Sequence, residues 1–474
     1  MDNSRATFGI DLHLDVSGSR RKRALEEALR QAIAQGRLRS GTRLPSSRSL
    51  AADLGLARNT VVDVYAQLTA EGWLAARHGS GTKVADRPLA SEVSAVMIAD
   101  APGSWSHDFR VGWPDLSSFP RSAWLDASRR AWSSAPDAEL GYGDPRGTRA
   151  LREEVTGYLG RARGVRTDAS RIVICSGFTQ AVGLLCRALH ERGATALAVE
   201  SYGLPETRQI ANDAHLAVET MPIDENGALV SSAGAANAAM ITPAHQFPLG
   251  MAMSPERRHD ALGWARSRDA LIIEDDYDGE FRYDREPVGA LQGLDPDHVV
   301  YLGTTSKTLA PGLRLAWMIL PGDLVEPVAR AKRLADRFAP ALDQLTLAEF
   351  IRSGAYDRHV RRRRLAYRHR RDRLVGALAA AQVEGISAGL QAVVGLPAGV
   401  TEAEAIASAD ESGIALEGLD IYRVGPAAHP PALVVGFATP PEHAYAAAIS
   451  GLGKVLAGLS QPHVSVRVRK RAEG

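Results

Sequence analysis

Lys307 lies in a segment whose residue types suit covalent chemistry with an aldehyde. It follows an apolar run at 299–302 that predicts a buried strand, and hydroxyl side chains surround it in Gly303-Thr304-Thr305-Ser306-Lys307-Thr308. A lysine removed from water loses its charge readily and can then form an imine with an aldehyde. Arg314 follows closely and could hold a phosphate of the same ligand through charge-assisted hydrogen bonds. Taken alone, a lysine among Ser and Thr residues is usually an ordinary surface residue.

Two further segments lie at the ends of predicted strands, and their residues could bind other parts of the same ligand. Ser176-Gly177-Phe178-Thr179-Gln180 follows the apolar run 172–175 and opens a predicted helix, whose backbone N–H groups can hold a phosphate. Glu274-Asp275-Asp276-Tyr277 closes another strand, where a carboxylate could pair with a protonated ring nitrogen and the phenol with a ring hydroxyl. Adjacent carboxylates at strand ends also often cap helices. An imine lysine, a ring-nitrogen partner and a phosphate cup are together what pyridoxal 5'-phosphate requires, so the sequence predicts that cofactor.

Length and composition set the context for this site. A chain of 474 residues is too long for one ordinary domain, and 45% hydrophobic with 23% charged residues is typical of globular domains. Cys175 and Cys186 are its two cysteines, which suits a reducing compartment and excludes a cysteine-rich metal cluster. The sequence lacks an apolar run of about 18 residues and a signal-peptide pattern, so we expect a cytoplasmic protein without membrane contact.

The basic charge is concentrated near the start of the chain. Residues 20–86 contain twelve Arg or Lys and six Asp or Glu, a local net charge of +6 in a chain whose total is +1. The same residues show helical apolar spacing from Leu25 to Ile33, then a second helix capped by Ser46 or Ser47, and a third that opens at 57–60. Two short strands around a glycine-rich tip follow Trp73. The sequence therefore predicts a winged helix-turn-helix, whose basic charge indicates nucleic-acid binding.

The third helix would enter the major groove with Arg58, Asn59 and Thr60 nearest the bases, where Arg can pair with guanine and Asn with adenine. In the wing, Arg77, His78 and the backbone of Gly79 can approach phosphates. The segments Arg43 to Ala51 and Arg77 to Thr82 resemble the GntR family of bacterial regulators. That resemblance implies a set of residues that contact DNA: Arg43, Ser47, Arg48, Arg58, Thr60, His78 and Gly79. The alternative is a small helical bundle with a solvated basic face.

Apolar β-rich runs alternate with amphipathic helices in the rest of the chain. This predicts an α/β domain with a mainly parallel sheet flanked by helices, whose ligands lie at the carboxyl ends of the strands. We predict four parts of the chain: a DNA-binding domain at 18–86, a linker at 87–106, the cofactor-binding domain at 107–460, and a basic tail, expected to be disordered, at 461–474.

This larger domain resembles fold-type I aminotransferases, and with the head the chain resembles the MocR subfamily of GntR regulators. The matching segments are 109–115, 119–120, 141–147, 242–250, 274–277 and 306–314. The resemblance implies that Lys307 forms the imine with pyridoxal phosphate, that Asp275 pairs with the pyridine nitrogen, and that Tyr277 contacts the ring hydroxyl. The residues implied to surround the phosphate are Gly177, Phe178, Thr179, Thr304, Ser306 and Arg314. The resemblance also implies a head-to-tail homodimer.

The sequence departs from that family in two places. Leu204 stands where a tyrosine that stacks on the cofactor ring is usual, which leaves Tyr202 as the best local substitute. The segment 432–438 lacks the arginine with which aminotransferases hold a substrate carboxylate, although Arg423 lies upstream. A missing charged contact of this kind weakens the case for an active aminotransferase.

Three functions therefore stay open from the sequence. The preferred one is a DNA-binding regulator that senses pyridoxal phosphate, or an amine or amino acid, at Lys307. The second is an active aminotransferase with an accessory DNA-binding head, and the third is a regulator whose larger domain has lost cofactor binding. The basic helix at 359–373 could contact DNA phosphates, but a charged helix is more often a solvated bridge between subdomains.

Overall fold

We analysed a computed structural model that describes residues 21–77, 81–86, 105–284, 288–378, 382–426 and 429–459. The chain forms two compact units that divide between residues 101 and 102, called here the head and the body. The predicted DNA contacts His78 and Gly79, and most of the predicted linker and tail, lie outside the described residues. Within those residues, no helix is both long and apolar enough to cross a membrane.

The head contains three helices and a β-hairpin. They are α1 (Arg21–Ala34), α2 (Ser47–Leu54), α3 (Arg58–Ala70), β1 (Leu74–Arg77) and β2 (Gly81–Val84). Apolar side chains of all five elements form one core, which includes Leu29, Leu50 and Leu68. Ser46 caps α2 by accepting a hydrogen bond from the N–H of Ser49 at 3.1 Å, so this residue, of the two candidates, is the cap. The predicted winged helix-turn-helix is confirmed.

The body contains a longer series of strands and helices. Its strands are β3 (His107–Asp108), β4 (Ile172–Cys175), β5 (Ala196–Glu200), β6 (Ala217–Met221), β7 (Ile223–Asp224), β8 (Gly227–Ala228), β9 (Ala238–Ile241), β10 (Leu271–Asp275), β11 (Val299–Thr304), β12 (Ala316–Ile319), β13 (Val383–Glu384), β14 (Ala392–Gly395), β15 (Ile414–Ala415), β16 (Glu417–Gly418) and β17 (Ala432–Val435). Its α-helices are α4 (Arg121–Ser134), α5 (Arg149–Arg163), α6 (Phe178–Glu191), α7 (Pro205–Asp213), α8 (Pro255–Arg268), α9 (Gly322–Ala335), α10 (Ala341–Arg352), α11 (Ala355–Ala377), α12 (Glu402–Glu411) and α13 (Tyr445–Leu459).

A seven-stranded sheet organises the body, in the order β4-β12-β11-β10-β9-β5-β6. β12 is antiparallel to both its neighbours, and the other pairings are parallel. The side chains of these strands are buried on both faces. Val173 packs in a core with α6 and α9, whereas Ile172 and Ile174 pack in another with α5 and α10. The predicted α/β class with a mainly parallel sheet is confirmed, and because both faces are covered by apolar groups, a ligand has access at the strand ends.

A second, four-stranded sheet follows in the order β13-β14-β17-β16. Its strands pack against α11, α12 and α13 through a separate apolar core that includes Leu374, Leu433 and Leu452. A smaller cluster joins this sheet to the loops after the large one, and it contains Phe247, Tyr277 and Tyr422. The second sheet thereby closes one side of the space beyond the strand ends of the first.

Candidate cofactor site and DNA-binding surface

Lys307 follows β11 and lies in a cavity of the body with a volume of about 460 Å³. Its Nζ donates a hydrogen bond to the carbonyl oxygen of Gly112 at 2.7 Å. Burial lowers the pKa of the lysine from its ordinary value of 10.5, although the charges of Asp278 and Asp275 act in the opposite direction. The amine therefore loses its proton more readily than that of a surface lysine, which is the condition for attack on a carbonyl group.

Asp275 is the last residue of β10, and its side chain also lines the cavity. Burial raises the pKa of this carboxyl well above its usual range, and the nearby charge of Asp276 adds to the increase. No residue that the structure describes donates a hydrogen bond to the Asp275 carboxylate. A buried acid without a donor is a site that a cationic ring nitrogen would complete, since an opposite charge favours the ionised form.

The hydroxyl of Tyr277 lies in a buried hydrogen-bond network beside Asp275. It accepts a hydrogen bond from Nε2 of Gln391 at 2.8 Å and lies 3.0 Å from Nδ1 of His245. The same Nδ1 lies 2.9 Å from Oδ2 of Asp278. Burial raises the pKa of the phenol well above 10.0, so Tyr277 stays protonated and can act as a hydrogen-bond donor.

Gly177 and Arg314 form a compact site for an anion at the start of α6. Nη2 of Arg314 donates a hydrogen bond to the carbonyl oxygen of Ser176 at 2.6 Å. Gly177 has φ 97° and ψ 171°, a conformation that is essentially restricted to glycine. A Cβ atom there would lie 2.4 Å from Nη2 of Arg314. The hydroxyls of Thr304 and Ser306, 2.8 Å apart, belong to the same cavity region.

The cavity brings together most of the residues predicted for the cofactor. Those in its lining are Phe178, Asp275, Tyr277, Thr304, Ser306, Lys307 and Arg314. Gly177 is buried behind the lining, and Thr179 is exposed on α6. Tyr202 is also outside the lining, and its hydroxyl accepts a hydrogen bond from the N–H of His429 at 3.0 Å. Stacking by Tyr202 stays a prediction, and Tyr202 packs in one cluster with Phe247, Tyr277 and Tyr422, which line the cavity together with Phe178.

Several lining residues were not singled out by sequence reasoning. Gly112 and Phe247 belong to segments that carry the family resemblance, so that signal could have identified them. Gln391 and Glu417 come from the second sheet and carry no local motif. Arg423, considered as a carboxylate partner, instead forms an ion pair with Asp420 at 2.6 Å and is not part of the lining.

The donor set in this cavity fits pyridoxal phosphate. A half-buried amine, a buried acid without a donor and an arginine beside a helix start are the three groups that the cofactor needs, and one cavity holds them. The absence of a Cβ at Gly177 lets the guanidinium of Arg314 come close to the start of α6, where backbone N–H groups can hold an anion.

The head presents its predicted DNA contacts at the start of two helices. Arg58 and Asn59 are exposed in the first turn of α3, and Thr60 beside them is half-buried. Ser47 is the first residue of α2, and Arg48 next to it is exposed. This places polar and cationic side chains along one end of the helix-turn-helix, where base and phosphate contacts are made in this motif.

Two further residues of the head that are predicted to contact DNA, Arg43 and Arg77, belong to or adjoin the β-hairpin. Arg43 forms an isolated bridge to Lys83, and its guanidinium lies 3.1 Å from the position of a Cβ atom on Gly81. The backbone of Arg77 pairs with Gly81 at the end of β1. Arg43 is therefore brought by the fold to the base of the wing.

The basic helix α11 is largely committed to contacts within the body. Arg370 is 2% exposed and forms an ion pair with Asp115 at 2.7 Å. Nε of Arg364 donates to the carbonyl oxygen of Glu280 at 2.8 Å. These contacts favour the bridging role over DNA contact for this helix, although Arg361 and Arg368 are exposed.

Comparison with protein families gives a match to each unit. Residues 21–84 match the family described as bacterial regulatory proteins, gntR family. Residues 111–444 match aminotransferase class I and II. The fold agrees with a solved structure, the kynurenine aminotransferase of Pyrococcus horikoshii, with a TM-score of 0.67 and 24% identity over 76% of this chain and 93% of that one.

The chain is similar to transcriptional regulators over most of its length. The pyridoxine biosynthesis transcriptional regulator PdxR of Corynebacterium glutamicum is 34% identical over 78% of this chain and 82% of its own length. The probable rhizopine catabolism regulatory protein MocR of Rhizobium meliloti is 33% identical over 73% and 75%, respectively. A GntR-type head joined to an aminotransferase-like body, with relatives of this identity and coverage, defines the chain's family: it belongs to the MocR subfamily of GntR transcriptional regulators.

Proposed function

We propose that this regulator binds operator DNA through residues 18–86 and senses pyridoxal 5'-phosphate, and thereby vitamin B6 status, at Lys307. The observation that carries the proposal is the convergence of Lys307, Asp275 and Arg314 on one cavity in a chain with a GntR-type head. The name of the relative PdxR, a regulator of pyridoxine biosynthesis, supports the same ligand.

Each cavity residue has a role in this proposal. When bound, pyridoxal phosphate would supply an aldehyde that reacts reversibly with primary amines. Lys307 would present its amine, Asp275 would hold the positive charge of the ring nitrogen, and Tyr277 would donate to the ring hydroxyl. The residues proposed to surround the phosphate are Gly177, Phe178, Thr179, Thr304, Ser306 and Arg314.

The DNA contacts proposed for the head follow the way a winged helix-turn-helix meets DNA. Arg58, Asn59 and Thr60 approach the bases, because they form the first turn of α3. The remaining contacts go to the backbone of the DNA and are Arg43, Ser47, Arg48, Arg77, His78 and Gly79. A head-to-tail homodimer would present two heads, and a ligand that binds one arrangement of the dimer more tightly shifts the population toward it.

An active aminotransferase is not favoured by the described residues. The strand β17 carries Val434 and Val435, and no arginine lies between 432 and 438 to hold a substrate carboxylate. An amine or amino acid that binds at the Lys307 site is compatible with the regulatory role, as a second signal beside the cofactor.

The test is binding of the full-length protein to its own upstream intergenic DNA, with and without pyridoxal phosphate. We expect a defined footprint that Arg58→Ala abolishes and that pyridoxal phosphate alters only when Lys307 is present. Lys307→Ala should keep the footprint and lose its response, and Lys454→Ala, an exposed lysine on α13, should behave as wild type. Specific binding that ignores the cofactor would refute cofactor sensing, and loss of specific binding in wild type would refute the DNA-binding role.

A further inference from the structure

The cavity around Lys307 has more acidic than basic side chains in its lining. The acids are Glu200, Glu206, Asp275 and Glu417, and the cations are Arg208, Lys307 and Arg314. Under the proposed function Lys307, Arg314 and Asp275 serve the cofactor. The part of the lining left for a second ligand therefore contains three acids and one cation, which favours a positively charged ligand.

Glu417 is a half-buried acid that hydrogen bonds hold in place at this cavity, whereas Glu200 is buried beneath Thr242 and Gln246, which donate to it. Oε2 of Glu417 accepts hydrogen bonds from the N–H of Val111 at 3.0 Å and from the hydroxyl of Tyr422 at 2.8 Å. Both bonds use one oxygen, and no described residue donates to Oε1. The side chain belongs to β16, so its backbone is fixed by pairing with Val434 of β17. A half-buried carboxylate, held in place and with a free oxygen, is a prepared acceptor for an ammonium group.

Glu417 lies close to Lys307 because both side chains contact the same short segment. Val111 donates to Glu417, and the carbonyl oxygen of the next residue, Gly112, accepts from Lys307. Two residues span at most about 7 Å, so Oε2 of Glu417 and Nζ of Lys307 are no more than about 13 Å apart. Both side chains line the same cavity, so an extended ligand whose length matches their separation can have one end at each residue.

The cations near Glu417 are poorly placed to hold a ligand carboxylate, since Arg110, whose charge interacts with Glu417, is paired with Asp108 at 2.7 Å. The cross-strand partner of Glu417, Val434, is apolar and fully buried, so β17 offers no cation beside it. Arg208, the remaining cation, is exposed on α7, two positions from the exposed acid Glu206. An exposed arginine next to an acid gives a weaker and less directed contact than a half-buried acid with two fixed hydrogen bonds.

We propose that this cavity binds a diamine, a primary amine with a second ammonium group and no carboxylate, and that Glu417 binds the distal ammonium. The inference rests on the proposed function, because the first amino group lies at the Lys307 end, beside the cofactor. It defines a class of effector, short aliphatic diamines, and a residue that selects for it.

The test uses full-length protein loaded with pyridoxal phosphate and measures ligand affinity by calorimetry. The probes are 1,4-diaminobutane, 4-aminobutanoate and 1-aminobutane, which share a four-carbon chain and differ at the far end. We expect the diamine to bind at least about tenfold more tightly than either other probe, since a hydrogen bond to a charged group is worth that much. Glu417→Gln keeps the acceptor for Val111 and should reduce this preference to less than about threefold, because the charge is removed.

Two further variants make the result decisive. Glu411→Gln removes an exposed acid on α12 and should leave all three affinities unchanged. Tyr422→Phe retains the Glu417 charge but removes one of its hydrogen bonds, so it should weaken diamine binding alone and less than Glu417→Gln does. Tighter binding of 4-aminobutanoate, or a diamine preference that survives Glu417→Gln, would overturn the inference while leaving cofactor sensing intact. Failure of the protein to acquire the cofactor's absorption band would overturn both.

Discussion

At the scale of single residues, the protonation state of Lys307 controls the chemistry of the cavity. Burial lowers its pKa below 10.5, while the negative charges of Asp278 and Asp275 favour the protonated amine. Removal of one of these charges should lower the pKa further, so that the neutral amine persists to lower pH. We predict that apparent affinity for pyridoxal phosphate rises with pH, and that Asp278→Asn shifts this rise to lower pH.

The absorbance of the bound cofactor, titrated at a series of pH values, measures this shift. Asp269→Asn is the control, because it makes the same substitution at an exposed acid, in the turn between α8 and β10. A profile for Asp278→Asn that coincides with wild type, or that moves to higher pH, would contradict the assigned electrostatics.

Gly177 gives a second prediction at this scale. An alanine there must adopt a glycine-only conformation, at a cost of about 1–3 kcal/mol, and its Cβ would overlap the guanidinium of Arg314. Arg314 would have to move from the phosphate end of the cavity. We expect Gly177→Ala to weaken binding of pyridoxal phosphate by about tenfold or more and to affect unphosphorylated pyridoxal much less.

Parallel titrations of the two forms of the vitamin, phosphorylated and not, separate these effects. Gly312→Ala is the control, since a Cβ at Gly312 has no neighbour within 4 Å although it lies in the same loop as Arg314. Equal losses for both ligands would mean that Gly177 supports the fold of the cavity rather than the phosphate site.

At the scale of elements, a buried ion pair fixes the end of β10. Arg163, the last residue of α5, contacts Asp276 at 2.6 Å, and both side chains are 1% exposed. Asp276 stands between Asp275 and Tyr277, so its ion pair with Arg163 fixes the position of the segment that lines the cavity. Removal of one partner from a buried pair costs about 3–5 kcal/mol, because the other charge stays buried.

We therefore predict that Arg163→Leu lowers the free energy of unfolding of the body by about 3–5 kcal/mol. Arg161→Leu, two residues earlier on α5, removes an arginine that is 65% exposed and 3.7 Å from Asp357. That control should cost no more than about 1 kcal/mol. Urea titration of the full chain, followed by tryptophan fluorescence, measures both; similar losses in the two variants would show that the buried pair has no special role.

The elements also show what could be predicted from the sequence. Strands such as β4 and β11 are short, continuous apolar runs followed by polar residues, and these local signals identified Lys307 and the start of α6. Glu417 and Gln391 carry no such signal, because they reach the cavity through the pairing of β14, β16 and β17, which depends on contacts distant in sequence. Tyr202 carries a local signal, its position after β5, and the fold packs it in one cluster with Phe247 and Tyr277, which line the cavity.

At the scale of the whole molecule, the sequence predicts where the basic residues are concentrated. It does not predict which of these regions faces DNA and which forms contacts within the body. The head has a net charge of +6 over residues 20–86, whereas α11 carries a comparable run of arginines in a body that is otherwise acidic. Composition alone does not separate these two regions. The structure does, because Arg364 and Arg370 of α11 are engaged by carbonyl and carboxylate groups of the body.

The salt dependence of operator binding tests this distinction. Each phosphate neutralised by a cationic side chain contributes about −0.9 to the slope of log affinity against log salt concentration. Arg48 and Arg361 are both exposed arginines, one on α2 of the head and one on α11 of the body. We predict that Arg48→Ala weakens binding and reduces the magnitude of the slope by about 1, whereas Arg361→Ala leaves affinity and slope unchanged. Fluorescence anisotropy at four or more salt concentrations gives both quantities, and a reduced slope for Arg361→Ala would instead place α11 on the DNA.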